Sequence, residues 1–182
     1  MITFKFDADK ALASILYVSN ILMQTKHKEA DYYRVMKILY FADKSHLVKY
    51  GRPILGDDYV AMEHGPVPSK TYDMVKIVKG TSLCKDTEGY GDIFSIINKN
   101  IIPKKSPDMD DFSESDVECL NESIEENWKL TFGQLKNKSH DDAYLKACRD
   151  DIIKFREIAR SAGATSEMIQ YMQEKSDAAA SV

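Results

Sequence analysis

A mainly α-helical fold, a multi-helix domain carrying a small antiparallel β-sheet (α+β), follows from three features of the sequence. Apolar residues recur at three- and four-residue spacing through most of the chain. The alternating runs that mark strands are short and fall between Tyr59 and Pro103. Gly51, Pro53 and Gly80 stand where helices should stop.

In chain order, Leu12, Ile15, Leu16, Leu22 and Met23 make one stripe, so residues 8 to 27 should form an amphipathic helix with Asp7 and Asp9 at its positive end. The run "DYYRVMKILYFADKSHLVKYG" carries two stripes. Tyr32, Val35, Met36, Leu39, Leu47 and Tyr50 form one; Tyr33, Tyr40, Phe41 and Val48 form the other, broken by Lys37 and Lys44. A helix apolar around most of its circumference should be enclosed by its neighbours. Asp43 and His46 occupy the first stripe, where apolar side chains belong.

"YVAMEH" alternates and reads as a strand ending at Gly65. Pro66 and Pro68 should end that strand and open a helix through Tyr72, Val75 and Val78 to Gly80, since proline suits a first helical turn. "SLCKD", "DIFSII" and "NIIP" suggest two or three short strands. After a polar loop, Ser113 with Asp116 and Thr131 with Gln134 have capping-box spacing, with Val117, Leu120, Ile124 and Trp128 as the inner stripe of the first helix. Helices near 150–162 and 165–175 should close the chain as a C-terminal extension, 151–182, of one domain spanning 1–182.

With 25 Lys and Arg against 29 Asp and Glu, the formal charge is −4, which gains little from counterion release and argues against nucleic acid as partner. Three widely spaced cysteines fit neither a disulfide framework nor a zinc knuckle, and they suit a reducing cytoplasm. No basic-then-apolar leader and no long apolar run point to export or a membrane.

Asp43, His46, His64 and His140 are residue types that could hold a metal or move protons. The bland reading is favoured: buried polar side chains usually order loops, here with Asp43 and His46 pinning the turn around Gly65. There is no Gly-x-Ser-x-Gly elbow and no phosphate loop. The expectation is no enzyme, no metal and no cofactor, with a metal-dependent enzyme using Asp43 and His46 as the alternative.

Lys37, Leu39, Tyr40, Phe41, Ala42 and Asp43, then Gly51 and Pro53, then Gly56, Asp57, Ala61 and Met62, then Gly65 to Ser69, Tyr72 and Asp73 together resemble the Panacea-domain, SocA-like antitoxin family. Ser139, His140, Tyr144 and Ala147 resemble its closing motif, although the family often places Pro-Trp where Ala143 and Tyr144 stand. The resemblance covers about residues 8 to 150. It implies a non-enzymatic, mostly helical protein that neutralises a co-encoded toxin by direct binding. An alternative is an adaptor delivering the toxin to the ClpXP protease, with the tail "AAASV" as a weak hint of unfoldase engagement.

The "HGPVPS" segment, the helix start after it and the sheet edges should then form a rigid docking face. Tyr59, His64, Pro66, Pro68 and Tyr72 would touch the partner, the two tyrosines as anchors. Lys37, Tyr40, Asp43, His46, Gly65, His140 and Tyr144 would be structural.

Overall fold

The computed structural model describes residues 1–180, and within them the chain is mainly helical with two small antiparallel sheets. Its elements are α1 (Ala8–Asn20), α2 (Tyr32–Tyr50), β1 (Tyr59–Met62), β2 (Gly65–Pro68), α3 (Ser69–Lys79), β3 (Phe94–Ile97) and β4 (Asn100–Pro103). There follow α4 (Glu114–Asn127), α5 (Phe132–Ser139), α6 (Asp142–Lys146), β5 (Ile152–Ile153), α7 (Phe155–Ser161) and α8 (Ser166–Ala180).

Helix α2 is the axis of the molecule, as its two stripes require. Val35, Met36, Ile38, Leu39 and Ala42 join a core with α1, α3, α4 and the β3–β4 hairpin. Tyr40, Phe41 and Leu47 join a second core with β1, α5, α7 and α8. Asp31 caps its start by accepting from the Arg34 N–H at 2.9 Å. At its end Gly51 adopts φ +70°, and a Cβ there would lie 2.6 Å from the Tyr171 ring of α8, so turn and packing both demand glycine.

The predicted α1 ends slightly early and passes into a π-turn over Ile21–Thr25. Both capping boxes form: Ser113 with Asp116 opens α4, and Thr131 with Gln134 opens α5.

Two expectations are corrected and a third is narrowed. Pro66 and Pro68 lie in a strand, β2, rather than in the first turn of a helix. The strand order β2-β1-β5 puts β2 at an edge, where a missing N–H breaks no ladder bond, and α3 starts directly after Pro68. Of the two or three short strands expected between 81 and 103, two form, β3 and β4, with "SLCKD" outside them and Asn98 and Lys99 closing the pair at φ +49° and +74°. The helix expected near 150–162 begins only at Phe155, because Ile152 and Ile153 pair with Val60 and Tyr59 instead of turning into helix, while the last one starts at Ser166, within a residue of expectation.

No described helix is long and apolar enough to cross a membrane. The tail "AAASV" ends in Ser181 and Val182, which lie outside the described residues.

Candidate functional site

A cleft of about 700 Å³ opens between the first half of α2, the β1–β2 hairpin, α3, the start of α5 and the Asn98–Lys99 turn. Its volume falls within the roughly 300–1,000 Å³ of ordinary ligand sites. Tyr32, Tyr33, Met36, Val67, Tyr72, Phe132 and Leu135 give it an apolar, aromatic lining.

Each wall is fixed by a local device. Arg34, buried beside the cleft, donates to the carbonyls of Trp128 (2.9 Å), Leu130 (2.8 Å) and Asn127 (3.3 Å), answering carbonyls that the end of α4 leaves without helical partners. It thereby ties the start of α2 to the loop before α5. The hairpin is held through its carbonyls by three side chains. Tyr33 donates to His64 (2.9 Å), Lys37 to Pro66 (2.6 Å) and Tyr144 to Met62 (2.9 Å).

Lys37 is fully buried. Its ammonium lies 5.1 Å from the Tyr33 ring centre, and no carboxylate pairs with it among the described residues. Burial pulls its pKa down to about 7. Burial, then electrostatic interaction with Asp31 and Tyr144, pushes the Tyr33 phenol up to about 12, so it remains a donor. Gly65 sits against this group with φ +100°; a Cβ would lie 2.4 Å from Ser139 Oγ and 2.8 Å from Lys37 Nζ. Only glycine lets the hairpin close over the lysine.

His64 is exposed at the hairpin tip, edge-on to Phe132 at 5.4 Å. Tyr72 is half-buried and packs on Tyr32 at 6.1 Å. The other three anticipated contact residues face inward: Pro66, Pro68 and Tyr59 are buried, the last only 1% exposed. The Tyr59 side chain is a core residue because strand alternation aims it at α2, where its hydroxyl donates to Asp43 at 2.9 Å. Phe132, half exposed and 4.4 Å from the Tyr33 ring, was missed. Its signal was a large apolar side chain directly after the Thr131 cap, where nothing in the helix stripe calls for one.

Asp43 and His46 do not brace the Gly65 turn; they hold the loop that follows α2. Asp43 accepts from the N–H groups of Ile54 (2.6 Å) and Leu55 (3.3 Å) and from Tyr59. Burial pushes its carboxyl up to about 6 even though these bonds pull the other way. His46 Nδ1 must carry a proton toward the Arg52 carbonyl at 2.7 Å, since that oxygen can only accept. Its Nε2 lies 3.0 Å from Ser115 Oγ and 3.2 Å from Asp116. Asp116 is also paired with Lys10 (3.0 Å) and Arg52 (2.9 Å). Burial alone would raise its pKa, but His46, the Ser113 N–H, Lys10 and Arg52 together hold it well below the usual carboxylate range.

His140 is elsewhere. It stacks on Tyr144 at 4.1 Å, and burial, followed by electrostatic interaction with Lys136, Lys37 and His64, lowers its pKa. Asp43 and His46 serve one loop while His64 and His140 flank the hairpin, and no group of three metal-ligating side chains forms among the described residues. Tyr40 donates to Asp141 at 2.8 Å, Lys44 pairs with the same oxygen at 2.6 Å, and Asp141 caps α6.

Bonds to loop carbonyls and amides thus hold the walls of an aromatic cleft within a mainly helical scaffold. A family model for the antitoxin SocA-like, Panacea domain matches residues 35–144, inside the span of 8 to 150 anticipated from the motifs, and the chain belongs to that family. No curated protein and no solved structure gives a significant match.

Proposed function

We propose that this protein is an antitoxin that neutralises a co-encoded toxin by binding it directly, and that the cleft over Lys37 is the docking site. The observation that carries this is the family match, whose span contains most of the cleft: α2 from Val35 onward, the hairpin, α3 and α5. Rigidity supports it, because a surface whose walls are already ordered loses little entropy on association. The cleft also presents exposed His64 and Phe132 beside half-buried Tyr72, and aromatic side chains dominate the energetics of many interfaces.

A non-enzymatic role is supported by the state of Asp43 and His46. Both Asp43 oxygens and both His46 ring nitrogens already have protein partners, so ligating a metal would strip a loop of its bonds.

The test is co-expression with the growth-arresting product of the neighbouring gene. Wild-type protein should rescue growth; Phe132→Ala and Tyr72→Ala, confirmed folded by circular dichroism, should lose most of the rescue. Full rescue by both folded variants would move the interface off this cleft.

A further inference from the structure

The cleft separates its charges by depth. Its cations lie underneath and are occupied: Arg34 on three carbonyls, Lys37 beneath the hairpin. Its rim is acidic at two places. Glu29 and Asp31 stand on the loop leading into α2, and Glu63 stands at the hairpin tip beside His64. Glu29 and Glu63 are exposed; Glu29 has no ion pair among the described residues, and Glu63 meets only the equally exposed Arg149 at 3.5 Å. Asp31 shares its carboxylate with Arg34.

Lys99 lines the cleft on the turn beside Tyr32; of the lysines on α3, Lys79 is held on the Tyr32 ring and hydroxyl and Lys76 is paired with Asp73. Between the acidic places the lining is aromatic and aliphatic.

Resting on the reading that this cleft binds the toxin, we infer that its occupant is a short apolar stretch of the toxin chain bracketed by basic side chains. Apolar residues would fill the space over Tyr33, Val67 and Phe132. Arginine or lysine on either side would meet Glu29 and Glu63, giving register as well as attraction. A segment with acidic brackets would set like charges against both rims and be refused.

The probes are two labelled synthetic peptides, one of leucine, phenylalanine and serine bracketed by arginines and one with the same interior bracketed by glutamates. Fluorescence anisotropy should show the arginine peptide binding the full chain about five- to tenfold more tightly at low salt, the size that two solvent-screened ion pairs supply together. Moving from about 0.01 M to 0.15 M salt, which shortens the screening length from roughly 30 Å to 8 Å, should shrink that preference. The Glu29→Lys/Glu63→Lys double variant should abolish or invert it, and Phe132→Ala should weaken both peptides.

Equal binding of the two peptides, no binding of either, or an unchanged preference in the double variant overturns the inference. In the rescue assay, loss with Phe132→Ala but not with the charge-reversed protein leaves the docking site standing and removes the basic-ended occupant. Rescue by all variants removes both.

Discussion

Replacing Lys37 with methionine tests whether a cation is stored under the hairpin. The lysine is fully buried, its ordinary pKa of 10.5 is pulled to about 7, and burial is the cause. Between those values the unfolded chain holds a proton that the folded chain lacks, so stability rises with pH at up to about 1.4 kcal/mol per unit. Below about pH 7 both states are protonated and the full cost of burying the ammonium is in place, so the contribution is flat there. Urea denaturation of wild type and Lys37→Met from about pH 6 to 9.5 singles out this group in the alkaline range, above the titration of His140, the neighbour whose pKa Lys37 helps to lower. Wild type should gain roughly 2–3 kcal/mol on the variant between about pH 7.5 and 9.5, and nothing between about pH 6 and 6.5. The absolute offset also contains the orphaned Pro66 carbonyl, worth about 1–3 kcal/mol, so only the slope is diagnostic. A difference that stays level across the alkaline range would show that Lys37 keeps an ordinary pKa, and the account of a buried, unpaired lysine would fail.

Two further outcomes follow from the same geometry. Gly65→Ala should cost about 2–4 kcal/mol from its φ of +100° and its collision with Ser139 and Lys37, and adding Ser139→Ala should return about 1 kcal/mol; no recovery in thermal denaturation would locate the strain elsewhere. Asp43→Ala should cost about 2–4 kcal/mol at neutral pH by orphaning the Ile54 N–H and the Tyr59 hydroxyl. Because the folded carboxyl titrates near 6 against an ordinary 3.8, the contribution of Asp43 to stability is fullest in acid and is lost as pH rises through that value. The gap between wild type and Asp43→Ala should therefore widen by roughly 2–3 kcal/mol from about pH 7 to pH 4, and a constant gap in urea melts would refute the buried-acid reading.

Much of the helical architecture was legible because its causes are local. Side chains three and four apart share a face whatever surrounds them, so the stripes of α2, the capping boxes at Ser113 and Thr131 and the stops at Gly51 and Gly80 could be read directly. The two stripes of α2 even implied its enclosure between two sets of neighbours. The family motifs were local as well, a long block of residues from Lys37 to Asp73.

Pairings between distant residues were not legible. The sequence showed that Lys37, Asp43 and His46 interrupt apolar stripes, but not which loop each one serves. That depended on where the hairpin and the chain after α2 came to lie, and it gave the Gly65 turn to Lys37 while Asp43 and His46 took residues 52–55. Strand β5 exists only because Ile152 and Ile153 meet β1 some ninety residues earlier in the chain. The cleft is of the same kind. Residues from α2, the hairpin, α3, α5 and the Asn98 turn surround it, and no period in the sequence links them. Sequence alone determined most of the helices, the stops at Gly51 and Gly80, the capped starts and the family, since those follow from neighbours along the chain; tertiary structure decided which polar groups are buried together and which aromatics stay outside, since a side chain's solvent is set by whatever distant segment packs against it.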